Sequence, residues 1–596
     1  MLHYLLFLYM ALMLLGVCGF LGQGLLRLLP MKGPLGPMHE LFAGFVIAPA
    51  VFAWLGYLRV FHIPWLAEVS GVFFFIVGIL FLLRLRGKLS LPRDWPLWML
   101  IPVLSLSLLL IGKVCYFDGG FNNHDDLRSI ALTGAFAAND LKPAFPTDLS
   151  IPISYSYYAY EWSAYLYRAV RGIGLPSLPV LLINLALVAF FYRLLVDIGR
   201  QLIKDFSLHH YLLLSAILTF YGFDYLHDSV WPARHLEWWN DHQLTQFSSY
   251  LHWTSQYLFA AGLALYGFVC LRNYFDDGDK RHAWWFLILH AISAGVGAIV
   301  FVWSTLAIVI YILVLLVVGD RREIVQRLLG LAPRAVAAIL LLILPVIFAF
   351  VGREVIVSFS IWPHFWFHSQ DEAQNALLFN LWVTLQELGP FLFAGLLLIP
   401  FGRWLDRRHG GSGFGRLSIF LSALLLISFF SASPYFDWFT RGVLLLVIMA
   451  AYYVTALISP LIGRQHPLVS SLFFLILTPQ LFNALLEHDF RRQQCRPASQ
   501  FSHQVNATVP LNTVIDYAGS SSGMLGIAMA GRAALAPGAR DYLKTYRNTE
   551  TFLSRRIGWR HPFSPCKRTA FGESTPGGAY ARLADGKVEF MECGDE

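Results

Sequence analysis

Long apolar segments separated by short polar ones run along most of this 596-residue chain. A hydrocarbon core about 30 Å thick needs roughly 20 apolar residues per helical crossing, so this spacing predicts about fourteen transmembrane helices. The predicted segments are approximately 2–26, 38–59, 66–84, 96–115, 176–197, 209–225, 249–271, 283–300, 302–318, 333–351, 377–400, 416–432, 440–459 and 467–486. The stretch from Trp284 to Val318 is too long for one crossing and too short for two comfortable ones. We therefore split it at Phe301 and expect broken or tilted helices there.

Composition agrees with a membrane protein, since 57% of the residues are hydrophobic, 16% aromatic and only 14% charged. Basic residues collect in alternate loops, which the positive-inside pattern assigns to the cytoplasm. These loops hold Arg27, Lys32, Arg84, Arg86, Lys88, Arg93, Arg200, Lys204, Arg272, Lys280, Arg281, Arg321, Arg322, Arg327, Arg403, Arg407, Arg408 and Arg464. The net charge of +7 fits contact with anionic membrane lipid better than nucleic acid.

The opposite loops are poor in basic residues and are predicted to face the periplasm or cell exterior. They are 116–175, 226–248, 352–376, 433–439 and the tail after residue 487. The sequence therefore predicts a multi-pass protein of the inner (cytoplasmic) membrane, whose acidic loop and C-terminal segment face outward.

The predicted fold is an all-α polytopic membrane protein with a small C-terminal α+β extracytoplasmic domain. Three blocks are expected: N-terminal transmembrane helices at 1–89, a transmembrane body at 90–487 that includes the outward loop 116–175, and the C-terminal domain at 488–596. Asp585-Gly586 between alternating residues predicts a β-hairpin. Cys18, Cys115 and Cys270 are interpreted as small apolar fillers, and Cys566 with Cys593 is the preferred pair in the tail.

The run from Phe117 to Arg128 sets three carboxylates and a histidine directly after an apolar helix. Ionisable groups at a membrane edge are usually functional. Asp125 and Asp126 are therefore candidates for a general base, and His124 is a candidate ligand for a divalent metal or a sugar hydroxyl. The alternative is that Asp125 only caps the N-terminus of the helix that contains Leu127 to Ala138.

This acidic pair is followed by a short helix, a proline bend and the aromatic segment Pro152–Tyr167. That order resembles the first outward loop of the GT-C superfamily of membrane glycosyltransferases. The resemblance implies a polyprenyl-linked sugar donor and a loop aspartate, here Asp125 or Asp126, as catalytic base or metal ligand. The aromatic segment, with Tyr157, Tyr158 and Tyr160, also resembles an archaeal and chloroflexal membrane-protein family named for its Tyr-Tyr-Tyr motif.

Other polar residues in the outward loops are candidates for substrate or metal binding. In loop 116–175 they are Arg128, Tyr157, Tyr158 and Glu161, and in the cluster from Asp224 to His242 they are Asp228, Trp238 and Asp241. Acidic and imidazole groups of this cluster could complete a metal site with Asp125, for which Asp228 and His124 are the named ligands. Trp238 or Trp239 could stack on a sugar face. An interfacial aromatic belt with solvated charges is the alternative for that cluster.

Arg441 is the only basic residue in its outward loop. Superfamily members place an arginine in this region to bind the donor phosphate, and a guanidinium suits phosphate bidentately. The alternatives are that Arg441 reaches to the membrane interface or pairs with Asp437.

Together these features predict an inverting membrane glycosyltransferase that moves a sugar from a polyprenyl-phosphate donor to an extracytoplasmic glycan, lipid or protein. A divalent metal, Mg²⁺ or Mn²⁺, is a candidate cofactor. A transporter or flippase of lipid-linked or amphiphilic substrates is the alternative, although the predicted helix interiors are nearly free of charge and no internal repeat is visible. The third hypothesis is a structural or assembly partner without enzymatic activity.

Overall fold

The structure is a computed structural model that describes most of the apolar helices and short parts of the remaining chain. The described residues are 2–29, 36–58, 60, 63, 65–86, 98–118, 120, 124–138, 144–145, 148–152, 158–170, 173, 175–219, 254–350, 360–361, 394–408, 413–428, 430–431, 441–463, 514–516, 533–535, 579–584 and 587–592. Predictions for the other residues lie outside this range, including helix 467–486 and most of helix 377–400.

The described chain is mostly helical. Its helices are α1 (Leu2–Leu28), α2 (Pro37–Tyr57), α3 (Leu66–Arg86), α4 (Leu100–Gly112), α5 (His124–Ala138), α6 (Tyr158–Ala169), α7 (Ser177–Leu202), α8 (Leu208–Thr219), α9 (Ser255–Asp277), α10 (Lys280–Val296), α11 (Ala298–Val318), α12 (Arg321–Ala338), α13 (Leu344–Phe350), α14 (Gly402–Arg408), α15 (Phe414–Ser428) and α16 (Leu444–Gly463). A π-helical turn, Ile339–Ile343, joins α12 to α13.

Among the described residues, seven helical segments are long and apolar enough to cross a membrane. They are Leu2–Leu28, Pro37–Tyr57, Leu66–Leu85, Ser177–Leu202, Ser255–Asp277, Ala298–Val318 and Arg321–Phe348. Four shorter apolar helices accompany them in the described chain: Leu100–Gly112, Leu208–Leu218, Phe414–Ile427 and Leu444–Pro460. The protein is therefore a multi-pass membrane protein, while the predicted number of about fourteen crossings stays a prediction.

Glycines let α1 lie against both α2 and α3. A Cβ at Gly22 would overlap the carbonyl of Glu40, and one at Gly44 would overlap the carbonyl of Cys18. Gly16 and Gly78 meet the backbone of the partner helix in the same way between α1 and α3. Apolar side chains gain little from leaving lipid tails, so this close backbone approach is a main source of attraction between membrane helices.

One end of the bundle, which we call the basic end, is joined by charged side chains. Glu40 of α2 accepts two hydrogen bonds, of 2.7 and 3.0 Å, from Arg84 of α3. Arg416 of α15 forms an ion pair with Asp276 of α9. Two basic residues that were assigned to cytoplasmic loops lie near helix ends here: Arg84 near the end of α3, and Arg272, which donates to the carbonyl of Gln201 near the end of α7.

Two predicted boundaries in the middle of the chain were wrong. The break predicted at Phe301 lies at Gly297, where a Cβ would stand 2.7 Å from the Cβ of Ala260 and 3.2 Å from the ring of Tyr257. Hydropathy does not detect that only glycine, which has no side chain, fits at this position. The helix predicted to start at residue 333 begins at Arg321, because Asp320 accepts hydrogen bonds from the amides of Arg322 and Glu323 and caps it there.

Helix α6 is the central element of the described bundle. All of its residues, Tyr158–Ala169, are buried, and it packs against α2, α3, α5, α7 and α10. The loop 116–175 was predicted to face outward as part of the transmembrane body, and this part of it is packed within the bundle.

The strands are short and pair in three sheets. They are β1 (Ala144–Phe145), β2 (Asp148–Pro152), β3 (Ser360–Ile361), β4 (Phe430–Ser431), β5 (Val514–Asp516), β6 (Ala533–Leu535), β7 (Ala579–Ala584) and β8 (Lys587–Glu592). In the tail the order is β6-β5-β7-β8, with β5 parallel to both neighbours and β7 antiparallel to β8. Ala584 pairs with Lys587, which confirms the hairpin predicted at Asp585-Gly586. The boundaries of the predicted C-terminal domain remain a prediction.

One cysteine interpretation was also wrong. Cys18 and Cys270 are free and buried, as expected of small apolar fillers. Cys115 is buried too, but it is disulfide-bonded. The spacing of cysteines in a sequence does not show which of them form disulfides. The apolar residues around Cys115 favoured a buried free thiol instead.

Candidate active site opposite the basic end

The acidic pair lies in the first turn of α5, which begins at His124. This helix contains the predicted segment Leu127–Ala138, and because it starts at His124, Asp125 lies inside its first turn rather than at the N-cap position of the alternative interpretation. Carboxylates in a first helical turn face the positive end of the helix dipole, which favours their charged form. The side chains of His124, Asp125, Asp126 and Arg128 are not among those described, so their predicted roles remain untested.

Arg168 of α6 fixes the other end of α5. Its Nε donates to the carbonyl of Ala137 over 2.8 Å, and its Nη2 donates to the carbonyl of Phe136. These carbonyls belong to the last turn of α5 and have no donor within that helix. A buried cation at the negative end of the dipole thus attaches the helix that carries the acidic pair to the buried helix α6.

Tyr158 and Glu161 form the first turn of α6 and are both buried. The Tyr158 hydroxyl donates to the carbonyl of Leu342 over 2.5 Å. Gly295 of α10 lies so close to the Tyr158 ring that a Cβ there would overlap it. Burial raises the pKa of the Tyr158 phenol well above its ordinary value, and the charge of Glu161 raises it further. Tyr158 is therefore a neutral hydrogen-bond donor rather than a proton carrier at ordinary pH.

The Leu342 carbonyl that Tyr158 binds belongs to the π-helical turn, and two side chains of α2 bind other carbonyls in or beside that turn. Pro345 has no N–H, so the carbonyl of Leu341 loses its normal intrahelical donor. Trp54 of α2 replaces it, with its Nε1 2.7 Å from that oxygen. The Tyr57 hydroxyl likewise donates to the carbonyl of Pro345 over 3.1 Å. Side chains from α2 and α6 thus satisfy carbonyls around the distorted turn.

Arg441 lies just before α16 at this same end. Its guanidinium donates to the hydroxyl of Tyr257, and its Cζ stands 4.1 Å from the centre of the Tyr257 ring. Gly442 allows the chain to pass against the ring of Trp303. The guanidinium is half-buried and held at a helix N-terminus, where amide groups also favour an anion. The predicted pairing of Arg441 with Asp437 lies outside the described residues and stays a prediction.

The turn between α10 and α11 connects these two groups of residues. Gly295 touches Tyr158 on one side of the turn, and Gly297 touches Tyr257 on the other. Tyr158 and Arg441 therefore lie on opposite sides of one short turn, although they are far apart in sequence. The structure brings these two predicted residues into one region, and α5 joins it through its packing on α6. Tyr157, Asp228, Trp238 and Asp241 lie outside the described residues.

Sequence reasoning missed three residues of this region. Tyr257 and Arg168 orient predicted site elements, as described above. Lys113, at the end of α4, is buried, with its Nζ 3.3 Å from the Tyr116 hydroxyl and 4.9 Å from the centre of that ring. The sequence did contain a signal for Arg168 and Lys113. Both are basic residues in or beside a loop that was predicted to face outward, and outward loops are usually poor in basic residues.

The metal prediction is not tested by the described side chains. Among them, no three His, Cys, Asp or Glu residues come together in a way that could hold an ion. The predicted ligands His124 and Asp228 are not among these side chains. Mg²⁺ or Mn²⁺ therefore remains a prediction.

Comparison with known proteins gives a structural likeness but no related family. No family model and no curated protein matches this sequence. The cryo-EM structure of arabinosyltransferase EmbB from Mycobacterium smegmatis aligns with a TM-score of 0.37 and 15% identity, over 78% of this chain and 44% of that one. The chain thus spans less than half the length of that structure. A TM-score this low does not establish a shared fold, so function has to be argued from the residues of this chain.

Proposed function

We propose that this protein is a membrane glycosyltransferase of the GT-C type. It moves a sugar from a polyprenyl-phosphate donor to an acceptor on the extracytoplasmic side of the inner membrane. The observation that carries the proposal is the half-buried Arg441 guanidinium, held by Tyr257 at the start of α16. A fixed cation with helix amides beside it, at a bundle end that the positive-inside pattern places outward, suits the phosphate of a lipid-linked donor.

The proposed chemistry divides between two sets of residues. Arg441 binds the donor phosphate and stabilises the negative charge that grows on it as the bond from sugar to phosphate breaks. Asp125 or Asp126 accepts the proton of the acceptor hydroxyl as that oxygen attacks the anomeric carbon. The free phosphate monoester leaves on its lipid, and attack from the opposite face inverts the configuration. A divalent ion, if bound by His124 and Asp228, would add further positive charge beside the phosphate.

The disulfide of Cys115 supports the proposed orientation. Disulfides form and persist in oxidising compartments such as the bacterial periplasm and are rare in the cytosol. Cys115 follows directly after α4 and precedes α5, so the bond lies beside the loop that carries the acidic pair. An extracytoplasmic position for that loop accounts for the bond.

Sugar transfer in isolated membranes tests this proposal. Membranes from cells lacking the protein are supplied with wild type, Asp125→Asn, Asp126→Asn, Arg441→Lys or Arg441→Ala, and labelled polyprenyl-phosphate sugars are followed into glycan, lipid and protein. Wild type is expected to restore labelling, and one aspartate variant is expected to lose it by about 10²-fold or more, the usual range for a catalytic base. Arg441→Lys should retain part of the activity that Arg441→Ala loses, since a lysine keeps the charge but not the bidentate geometry.

The control variant is Arg403→Ala, because Arg403 is an exposed arginine in the basic-end helix α14. It should label like wild type. Equal labelling by all variants at equal expression would contradict the proposal. If wild type instead moves labelled donor between leaflets without forming product, the protein is a flippase.

A further inference from the structure

A disulfide bond is formed by Cys115, which lies in the acidic loop before α5. Cys115 is disulfide-bonded, while Cys18 and Cys270 are free. The chain has six cysteines, and the other three are Cys495, Cys566 and Cys593. A partner within the same chain must therefore be one of these tail cysteines.

A second contact joins the same two parts of the chain on the other side of α5. Cα atoms of the tail strand β6 lie within 8 Å of those of β2. Strand β2 follows α5, whereas Cys115 precedes it. The two observations are independent, because one is a covalent bond and the other is backbone proximity between strands.

We infer that the C-terminal sheet is docked on the acidic loop and covalently locked there by a disulfide between Cys115 and a tail cysteine. The helix α5 is thereby held between two attachments to the tail, in addition to the hydrogen bonds from Arg168. This inference does not depend on the proposed glycosyl transfer, since it concerns only how the loop is held. The segment that is docked on the loop is the sheet β6-β5-β7-β8 of the same chain.

The covalent step is an oxidation of two thiols. The thiolate of one cysteine attacks a disulfide of an extracytoplasmic thiol–disulfide oxidant, and the second thiolate then displaces that oxidant. Two protons and two electrons leave the protein, and the oxidant is reduced to a dithiol. The predicted pair Cys566 and Cys593 is compatible with this bond only if Cys495 is the partner of Cys115.

Peptide mapping of the purified full-length protein tests the bond. After free thiols are alkylated, trypsin releases Cys115 in the peptide Val114–Arg128, Cys566 in His561–Lys567 and Cys593 in Val588–Glu596, while Cys495 lies in a peptide that begins at Gln493. We expect Val114–Arg128 to be recovered joined to one of the three tail peptides and to be released by reductant. A non-reducing gel should show a single-chain mass. Recovery of Val114–Arg128 with an alkylated thiol, or joined to a second copy of the chain, would overturn the inference.

Hydrogen exchange tests the docking separately. In Cys115→Ser, or after reduction, the amides of β2 should exchange about tenfold faster or more, because an intramolecular tether no longer keeps the tail nearby. The matched control is Cys18→Ser, which replaces a free buried cysteine and should leave β2 unchanged. If β2 exchanges equally in wild type and Cys115→Ser, the bond does not hold the tail on the loop and that part of the inference is wrong.

Discussion

The indole Nε1 of Trp162 lies 3.3 Å from the carbonyl oxygen of Phe45 and is its hydrogen-bond donor. Pro49 lies four residues after Phe45 in α2 and has no N–H to offer that carbonyl. The same relationship occurs between Trp54, the carbonyl of Leu341 and Pro345. Two prolines in apolar helices are thus each matched by a tryptophan from another helix, as a lipid environment without water requires.

This relationship predicts a stability effect that depends on the proline. Trp162→Phe should lower the free energy of unfolding by about 1–3 kcal/mol, since the buried carbonyl of Phe45 loses its donor. In the Pro49→Ala background the same substitution should cost less, because the alanine N–H returns to the helix. Thermal unfolding of all four proteins in detergent gives the coupling between the two sites. An equal cost in both backgrounds would mean that Trp162 acts through packing alone.

The contact between α1 and α2 predicts a difference between two nearby glycines. Gly22→Ala should destabilise the protein by about 1–3 kcal/mol, since its Cβ would overlap the backbone of Glu40. Gly24→Ala is the matched control, because no atom lies within 4 Å of a Cβ at that position. It should be neutral or stabilising by about 0.5–1 kcal/mol, as expected for alanine in a helix. Melting temperatures of the two variants distinguish them, and similar shifts would contradict this packing.

The helices were predictable because apolar length is a strong signal in a membrane protein. Their ends were less predictable where one small contact decides them. Gly297 ends α10 because no side chain fits against Ala260 there, and this depends on a helix distant in sequence. In the same way, the sequence indicates that α6 is aromatic but not that its residues are all buried.

Arg168 should affect the rate of transfer through the position of α5. Arg168→Lys keeps the charge but cannot donate to both carbonyls in the same geometry. We expect kcat to fall and the KM for donor to change little, because the donor phosphate is assigned to Arg441. Steady-state kinetics on purified protein measures both.

Arg193→Lys is the control for this variant. Arg193 also donates to a backbone carbonyl, that of Met38, over 3.0 Å, and it pairs with Asp197 near the basic end. It should affect stability without reducing kcat. If kcat falls in both variants in proportion to their loss of folded protein, Arg168 has only a structural role.

Tyr257 should tune donor binding through Arg441. Tyr257→Phe keeps the ring below the guanidinium and removes only the hydroxyl that Arg441 binds. The KM for donor should rise by about 5–10-fold, which corresponds to the loss of one hydrogen bond, and by less than in Arg441→Ala. Tyr453→Phe removes a hydroxyl that lies 2.9 Å from the carbonyl of Phe414, away from Arg441, and should leave KM unchanged. A larger effect of Tyr257→Phe than of Arg441→Ala would contradict this role.

The candidate site shows a similar limit to prediction. Arg441 was identified because it is the only basic residue in its loop, but nothing near it in sequence indicates Tyr257. Tyr158 was singled out for its aromatic neighbours, yet its contacts lie in α10 and in the π-helical turn. Pairings between distant helices depend on packing, which a single sequence does not encode in any short pattern.

The complete burial of α6 has a consequence for the biogenesis of the protein. With 12 residues, α6 is about 18 Å long, too short to be inserted as an independent crossing. Its neighbours α2, α3 and α7 are long enough to insert on their own. We therefore expect helix α6 to enter the bundle only after these helices are in the bilayer, and to bring α5 and its acidic pair into position with it, because α5 packs on α6.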